Sequence, residues 1–142
     1  LTVSQSVRAA GAVLVTTPQD VALADVVRAK QMFDKVHIPV LGIIENMAVF
    51  ICPHCNQGTH IFDHGGGKKA AEAFQIAFLG ELPLDLKVRQ GGDAGLPIVV
   101  AEPSSPEAMR FMEIAANVAG QVSKENMRVR LPVLGQQAQA AH

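Results

Sequence analysis

The chain has no run of lysine or arginine, and its 12 basic and 13 acidic residues leave a formal net charge of -1. Proteins that track nucleic-acid phosphates need clustered cations, so nucleic acid is not an expected partner. No apolar stretch approaches the roughly 18 residues that suggest a membrane span. The opening LTVSQSVRAAG lacks the charged-then-apolar order of a signal peptide. A cytoplasmic protein without membrane association is therefore expected. Cysteine is scarce too: the only two are Cys52 and Cys55, in CPHC. A secreted disulfide framework would spread its cysteines along the chain, whereas a CxxC in a reducing compartment reads as metal-binding or redox-active. What is present is ample apolar content, 49% over 142 residues, enough for one soluble domain or a large piece of one.

Leu1 to Val7 has no capping signal and reads as the end of a helix or loop begun upstream. Ala12 to Thr16 (AVLVT) and Val40 to Ile44 (VLGII) are short apolar runs of the kind found in strands buried on both faces. Between them, Val21, Leu23, Ala24, Val27, Met32 and Phe33 keep helical spacing, which predicts a helix over 21–36. An irregular stretch follows through Gly67 and contains CPHC. Lys68 to Phe74 is predicted as a helix, Ala77 to Leu82 as a strand closed by Pro83, and the segment after it as a loop. Glu107 to Val122 carries a second amphipathic pattern, and residues 124–142 read as a flexible tail. Strands alternating with helices over short connections predict an α/β fold with a parallel sheet. Ligands in such folds bind beyond the carboxyl ends of the strands, here Thr16-Thr17-Pro18, Glu45-Asn46-Met47 and Pro83-Leu84-Asp85.

Two thiolates two residues apart can grip one metal ion or one cluster iron. A zinc ribbon or an ordinary iron–sulfur site takes four ligands, so one CPHC is half a set. His54, His60 and His64 can complete a mononuclear zinc site, or a second copy of the chain can bring its own CPHC across a two-fold axis. Spacing alone also leaves open a thiol redox pair and plain structural cysteines. The redox alternative is weakened by the long loop, since a thioredoxin-like CxxC opens a helix whose N-terminus lowers the thiol pKa. Asn46 at a strand end can pair with a purine edge through its carboxamide, or satisfy its own turn. Asp85 in Pro83-Leu84-Asp85 can cap a following helix. Gly65-Gly66-Gly67-Lys68-Lys69 is followed by Ala70 and is not the GxxxxGK[ST] phosphate loop; its glycines let the chain turn from the cysteine loop into a helix.

Taken together, TTPQDVALADV, GIIENMAVFICPHC, IFDHGGG, LGELPLDLKVRQGGDAGLPIV and the helix after SSPEA resemble the Mrp/Nbp family of iron–sulfur cluster carrier ATPases. That family is related to the nitrogenase iron protein and to MinD-type ATPases. The resemblance covers Leu1 to about Val122 and makes residues 1–123 the C-terminal half of a doubly wound, mostly parallel P-loop NTPase domain, with a cluster loop at 47–67. It implies that Cys52 and Cys55 hold a 4Fe-4S cluster bridging the two subunits of a homodimer, for delivery to apo iron–sulfur proteins. It implies that Asn46 contacts adenine and that Pro83, Leu84 and Asp85 line the base on its other side.

Members of the family also carry a deviant Walker A of the type KGGVGKS, a signature Asp and a PPGTGD segment, none of which occurs here. The groups that hold the phosphates and magnesium of ATP are thus not in this chain, which by itself is expected not to hydrolyse ATP. Two alternatives remain. One is a zinc-binding interaction module built on CPHC and the histidines. The other is a MinD-like positioning ATPase, disfavoured because the tail has no amphipathic membrane helix.

Overall fold

The computed structural model describes residues 9–127. Three strands form the main sheet: β1 (Ala12–Thr16), β2 (Val40–Glu45) and β5 (Phe78–Glu81), with β2 in the centre. Both pairings are parallel. The central strand is buried at Leu41, Gly42, Ile43 and Glu45, which is why its sequence is a near-continuous apolar run and not an alternating one.

Helix α1 (Asp20–Lys35) joins β1 to β2. Asp20 in its first turn and Lys35 in its last complement the helix dipole. Its buried Val26 meets Leu14, Ile43 and Ala71 in the main core, with Ala29, Phe33, Phe74 and Phe78 packed around them. Helix α2 (Gly66–Phe74) supplies Ala71 and ends at Gln75, whose φ of 56° turns the chain toward β5. The last helix, α5 (Pro106–Met127), starts with proline at its first position, where the missing N–H costs nothing. The Ser105 hydroxyl accepts from Ala108 N–H at 3.2 Å, and Asn117 Nδ2 donates to the Leu79 carbonyl at 2.9 Å, fastening α5 to β5.

The three predicted core strands and three predicted helices are all present, and the fold is the predicted α/β class with a parallel sheet. Two stretches differ. Within the predicted irregular segment a small antiparallel hairpin forms from β3 (Phe50–Ile51) and β4 (Gly58–Thr59), each too short for periodicity to register. Where a loop was predicted after Pro83, the chain makes α3 (Leu86–Asp93) and the single turn α4 (Ile98–Ala101). Asp85 starts α3 as its N-cap, accepting from Lys87 N–H at 2.7 Å and Val88 N–H at 3.1 Å, which offsets the weak helix preference of Gly91 and Gly92. Helix α5 also runs beyond the predicted end at Val122 to Met127; the rest of the predicted tail and the Leu1 to Val7 segment lie outside the described residues.

Ile43 is 0% exposed at the centre of the sheet. Ile43→Ala is expected to lower unfolding free energy by about 2–5 kcal/mol, as lost burial and a residual cavity add. Urea denaturation of the two chains checks this.

Candidate functional site

The carboxyl ends of the strands share one rim, where Thr16, Glu45 and Glu81 lie side by side in register. Asn46 leaves the rim with its N–H on the Thr16 carbonyl at 2.6 Å. Leu82 N–H donates to the Glu45 carbonyl at 2.8 Å and Ala48 N–H to the Leu82 carbonyl at 3.0 Å, so the segment after β2 and the segment after β5 leave the sheet together. Leu84 continues this contact, its N–H on the Val49 carbonyl at 2.8 Å and its backbone bridged to Phe50.

The β3–β4 hairpin projects from this rim and carries the cysteines at its turn. Cys52 N–H donates to the Gln57 carbonyl at 3.0 Å and Asn56 N–H to the Cys52 carbonyl at 2.8 Å, with Asn56 in the left-handed region at φ 56°. Both cysteines are free; Cys52 is half-buried and Cys55 exposed. The Cys52 thiol ionises below its ordinary range because the His54 backbone N–H, the Cys55 backbone N–H and the Cys55 thiol all donate to it. The turn therefore offers a stabilised thiolate with a second thiol against it, on a surface a second macromolecule can reach.

The base of this loop is closed by a residue that sequence reasoning had counted only as part of a polar strand end. Glu45 is 0% exposed, and its carboxylate accepts from Gly65 N–H at 3.1 Å and from Gly67 N–H. Gly65 takes the left-handed conformation (φ 75°) that aims these N–H groups inward. A Cβ on Gly67 would come 3.0 Å from a Glu45 carboxylate oxygen, a tight contact that a larger residue could make only by displacing the carboxylate slightly. The Gly65–Gly67 turn is thus an anion-binding nest filled by the protein's own carboxylate, the physical reason it is no phosphate loop. An acidic residue ending an otherwise apolar buried strand was the available signal.

The three histidines do not gather on the cysteines. His54 is exposed. His60 Nδ1 lies 2.8 Å from the Ala48 carbonyl, which can only accept, so that nitrogen carries the proton. The His60 ring lies against His64 with centroids 4.3 Å apart. His64 faces Glu45 and Glu81, the one group of three ligand-type side chains that converges within 4.8 Å among the described residues. The zinc arrangement of both cysteines with two histidines finds no support.

Asn46 Oδ1 accepts from the N–H of Met47 at 3.0 Å, the turn-forming use of the side chain. A cleft of about 410 Å³ between β1 and α1 reaches Asn46 and is lined also by Thr16, Thr17, Asp25 and Val26. Pro83, Leu84 and Asp85 stand on the same rim but do not line that cleft, and the Asp85 carboxylate is engaged as the α3 cap.

A parallel α/β sheet with ligand-type residues at its carboxyl rim has the layout of α/β ligand-binding proteins, and here the rim also carries a cysteine hairpin. The profile of the ParA family, described as NUBPL iron-transfer P-loop NTPase, matches residues 1–119, and the chain belongs to that family. It is 50% identical over 122 residues to the iron–sulfur cluster transfer protein NUBPL of Dictyostelium discoideum, covering 86% of this chain and 38% of the relative. It is 48% identical over 115 residues to the iron–sulfur cluster carrier protein of Pseudomonas fragi, covering 81% and 40%. The chain thus spans about two fifths of the length of the curated relatives it matches. Among solved structures it is similar to the nucleotide-binding protein of Archaeoglobus fulgidus, solved with ADP and with cobalt found (TM-score 0.61, 37% identity, 78% of this chain and 44% of that one). MinD of Pyrococcus horikoshii shares the fold (TM-score 0.62, 24% identity, 81% and 43%).

With no cluster bound, Cys52 is expected to be alkylated by iodoacetamide with a pH midpoint below the ordinary thiol range. Cys55→Ala should move the Cys52 midpoint up, since it removes one of the three donors. Mass spectrometry of the modified peptide over a pH series checks both.

Proposed function

We propose that this chain is the cargo-holding part of an ATP-dependent iron–sulfur cluster carrier, which holds a 4Fe-4S cluster between the two subunits of a homodimer and delivers it to apo iron–sulfur proteins. The observation that carries the reading is the pair of unpaired cysteines at the exposed turn of a hairpin, with a donor set that favours thiolate at Cys52. Each chain offers two thiolates where a four-iron cluster of the usual kind takes four, and a two-fold axis through the turn supplies the others. In this reading Cys52 and Cys55 are the cluster ligands, and the cluster is cargo that enters and leaves at the surface. Unpaired, accessible thiols suit a reducing compartment, which we take to be the cytoplasm.

Nucleotide recognition is assigned to the rim at the hairpin's foot. Asn46 reads the adenine edge, its carboxamide serving as donor and acceptor once the Met47 turn bond gives way. Pro83 and Leu84 flank the base, and Asp85 fixes their backbone by capping α3. The phosphates and magnesium of ATP bind to parts of the longer family protein outside this sequence, and hydrolysis belongs to that whole protein.

Anaerobic reconstitution with iron and sulfide, followed by mass determination and iron counting, is expected to give one four-iron cluster per two chains. Cys52→Ala or Cys55→Ala should abolish stable cluster binding and the cluster-dependent dimer, while His54→Ala, His60→Ala and His64→Ala retain the cluster. A monomer holding a full cluster would refute the bridging arrangement.

In the full-length protein, Asn46→Ala is expected to weaken ATP binding by about 1–3 kcal/mol, the cost of leaving a buried polar partner unsatisfied. Titration calorimetry measures it, and unchanged affinity would return Asn46 to its turn-forming role.

A further inference from the structure

We infer that Glu45 is a positioning residue that couples nucleotide occupancy at the rim to the geometry of the cysteine loop, a role that rests on the carrier reading above. Among the described residues Glu45 is the only charged side chain that is buried. Burying a carboxylate is costly unless it is hydrogen-bonded, and charge-assisted bonds to backbone N–H groups are the strong kind. Both of the bonds recorded for the Glu45 side chain go to the far foot of the 47–67 loop, Gly65 and Gly67, which are 20 and 22 residues away. The near foot of the loop is Glu45's own neighbour, Asn46. One residue thus spans both feet of the loop that presents Cys52 and Cys55.

The same residue is tied to both sides of the proposed nucleotide rim. Its carbonyl accepts from Leu82 N–H at 2.8 Å, leading into Pro83–Asp85, and its peptide link to Asn46 is held by Thr16 at 2.6 Å. Any change in Asn46 when its carboxamide leaves the Met47 N–H for a base therefore acts on the backbone of Glu45, and the side chain transmits it to Gly65 and Gly67. The fit at Gly67 makes the link stiff, since a Cβ there would meet the Glu45 carboxylate at 3.0 Å and its Cβ at 3.1 Å. Glu81 and His64 bring ligand-type atoms within 4.8 Å of the Glu45 carboxylate.

The test uses the full-length protein with its cluster reconstituted. Two quantities are read: the ratio of cluster-release rates to a chelator with and without ATP, and the ATP-induced change in amide hydrogen exchange across 47–67. Glu45→Gln keeps the shape and one acceptor but removes the charge, while Gly67→Ala presses a methyl against the clamp from the other side. Both variants are expected to fold, bind ATP and load a cluster. Both should lose the ATP dependence of release by at least about fivefold, the lower end of ordinary allosteric coupling, together with the ATP-induced exchange change in the loop. Wild-type ATP dependence retained in both variants overturns the coupling and leaves the carrier reading standing. Loss of fold, ATP binding and cluster together in both variants assigns Glu45 a purely structural role and equally overturns it. A wild-type protein that loads no cluster is a failure of the carrier reading itself.

Discussion

Glu45 constrains everything at the rim, because a carboxylate with 0% exposure must be matched by fixed donors or unfold what surrounds it. It ends the central strand, where the flanking strands shield it on both sides. Its donors come from the Gly65–Gly67 turn, which begins α2. The long excursion between them cannot wander at its base, and the hairpin that carries the cysteines projects from a defined place. The positive end of α2 and the left-handed Gly65 add a favourable field for the charge.

The division of labour follows from that closure. In the proposed reading the strand ends hold the groups suited to a base edge, while the excursion holds the two thiols out toward solvent, where a cluster could be received and given up. A resident metal site would be expected to surround its ion with all its ligands and a dry shell; this turn exposes Cys55, and His60 and His64 are engaged elsewhere. That difference favours the proposed carrier surface over a zinc module more than the residue types do, since cysteine and histidine serve both. Family membership points the same way, and the shared fold with MinD shows that this sheet does not itself dictate a cargo.

Much of the architecture was written in short-range pattern. The runs AVLVT and VLGII carry the pattern of buried strands, and helical spacing over 21–36 placed α1 within a residue of where it lies, because burying an apolar face is the strongest driving force for these elements and periodicity reports it directly. The β3–β4 hairpin escaped because two-residue strands have no period, and α3 because its formation depends on the Asp85 cap more than on the weak propensity of LKVRQGGD.

By itself the sequence determined the α/β class, the pair of thiols in CPHC and, through ordered motifs, the kinship with cluster carriers. Only the tertiary structure decided which groups meet. It set His60 on a backbone carbonyl and His64 beside two carboxylates, away from the cysteines. It placed the Asp85 carboxylate in a helix cap. It filled the glycine turn with Glu45 from 20 residues upstream, turning a weak likeness to a phosphate loop into an internal latch. Such pairings join residues far apart in the chain, and no local pattern encodes them; they exist because a buried charge and unpaired N–H groups each need a partner, and folding brings them within reach.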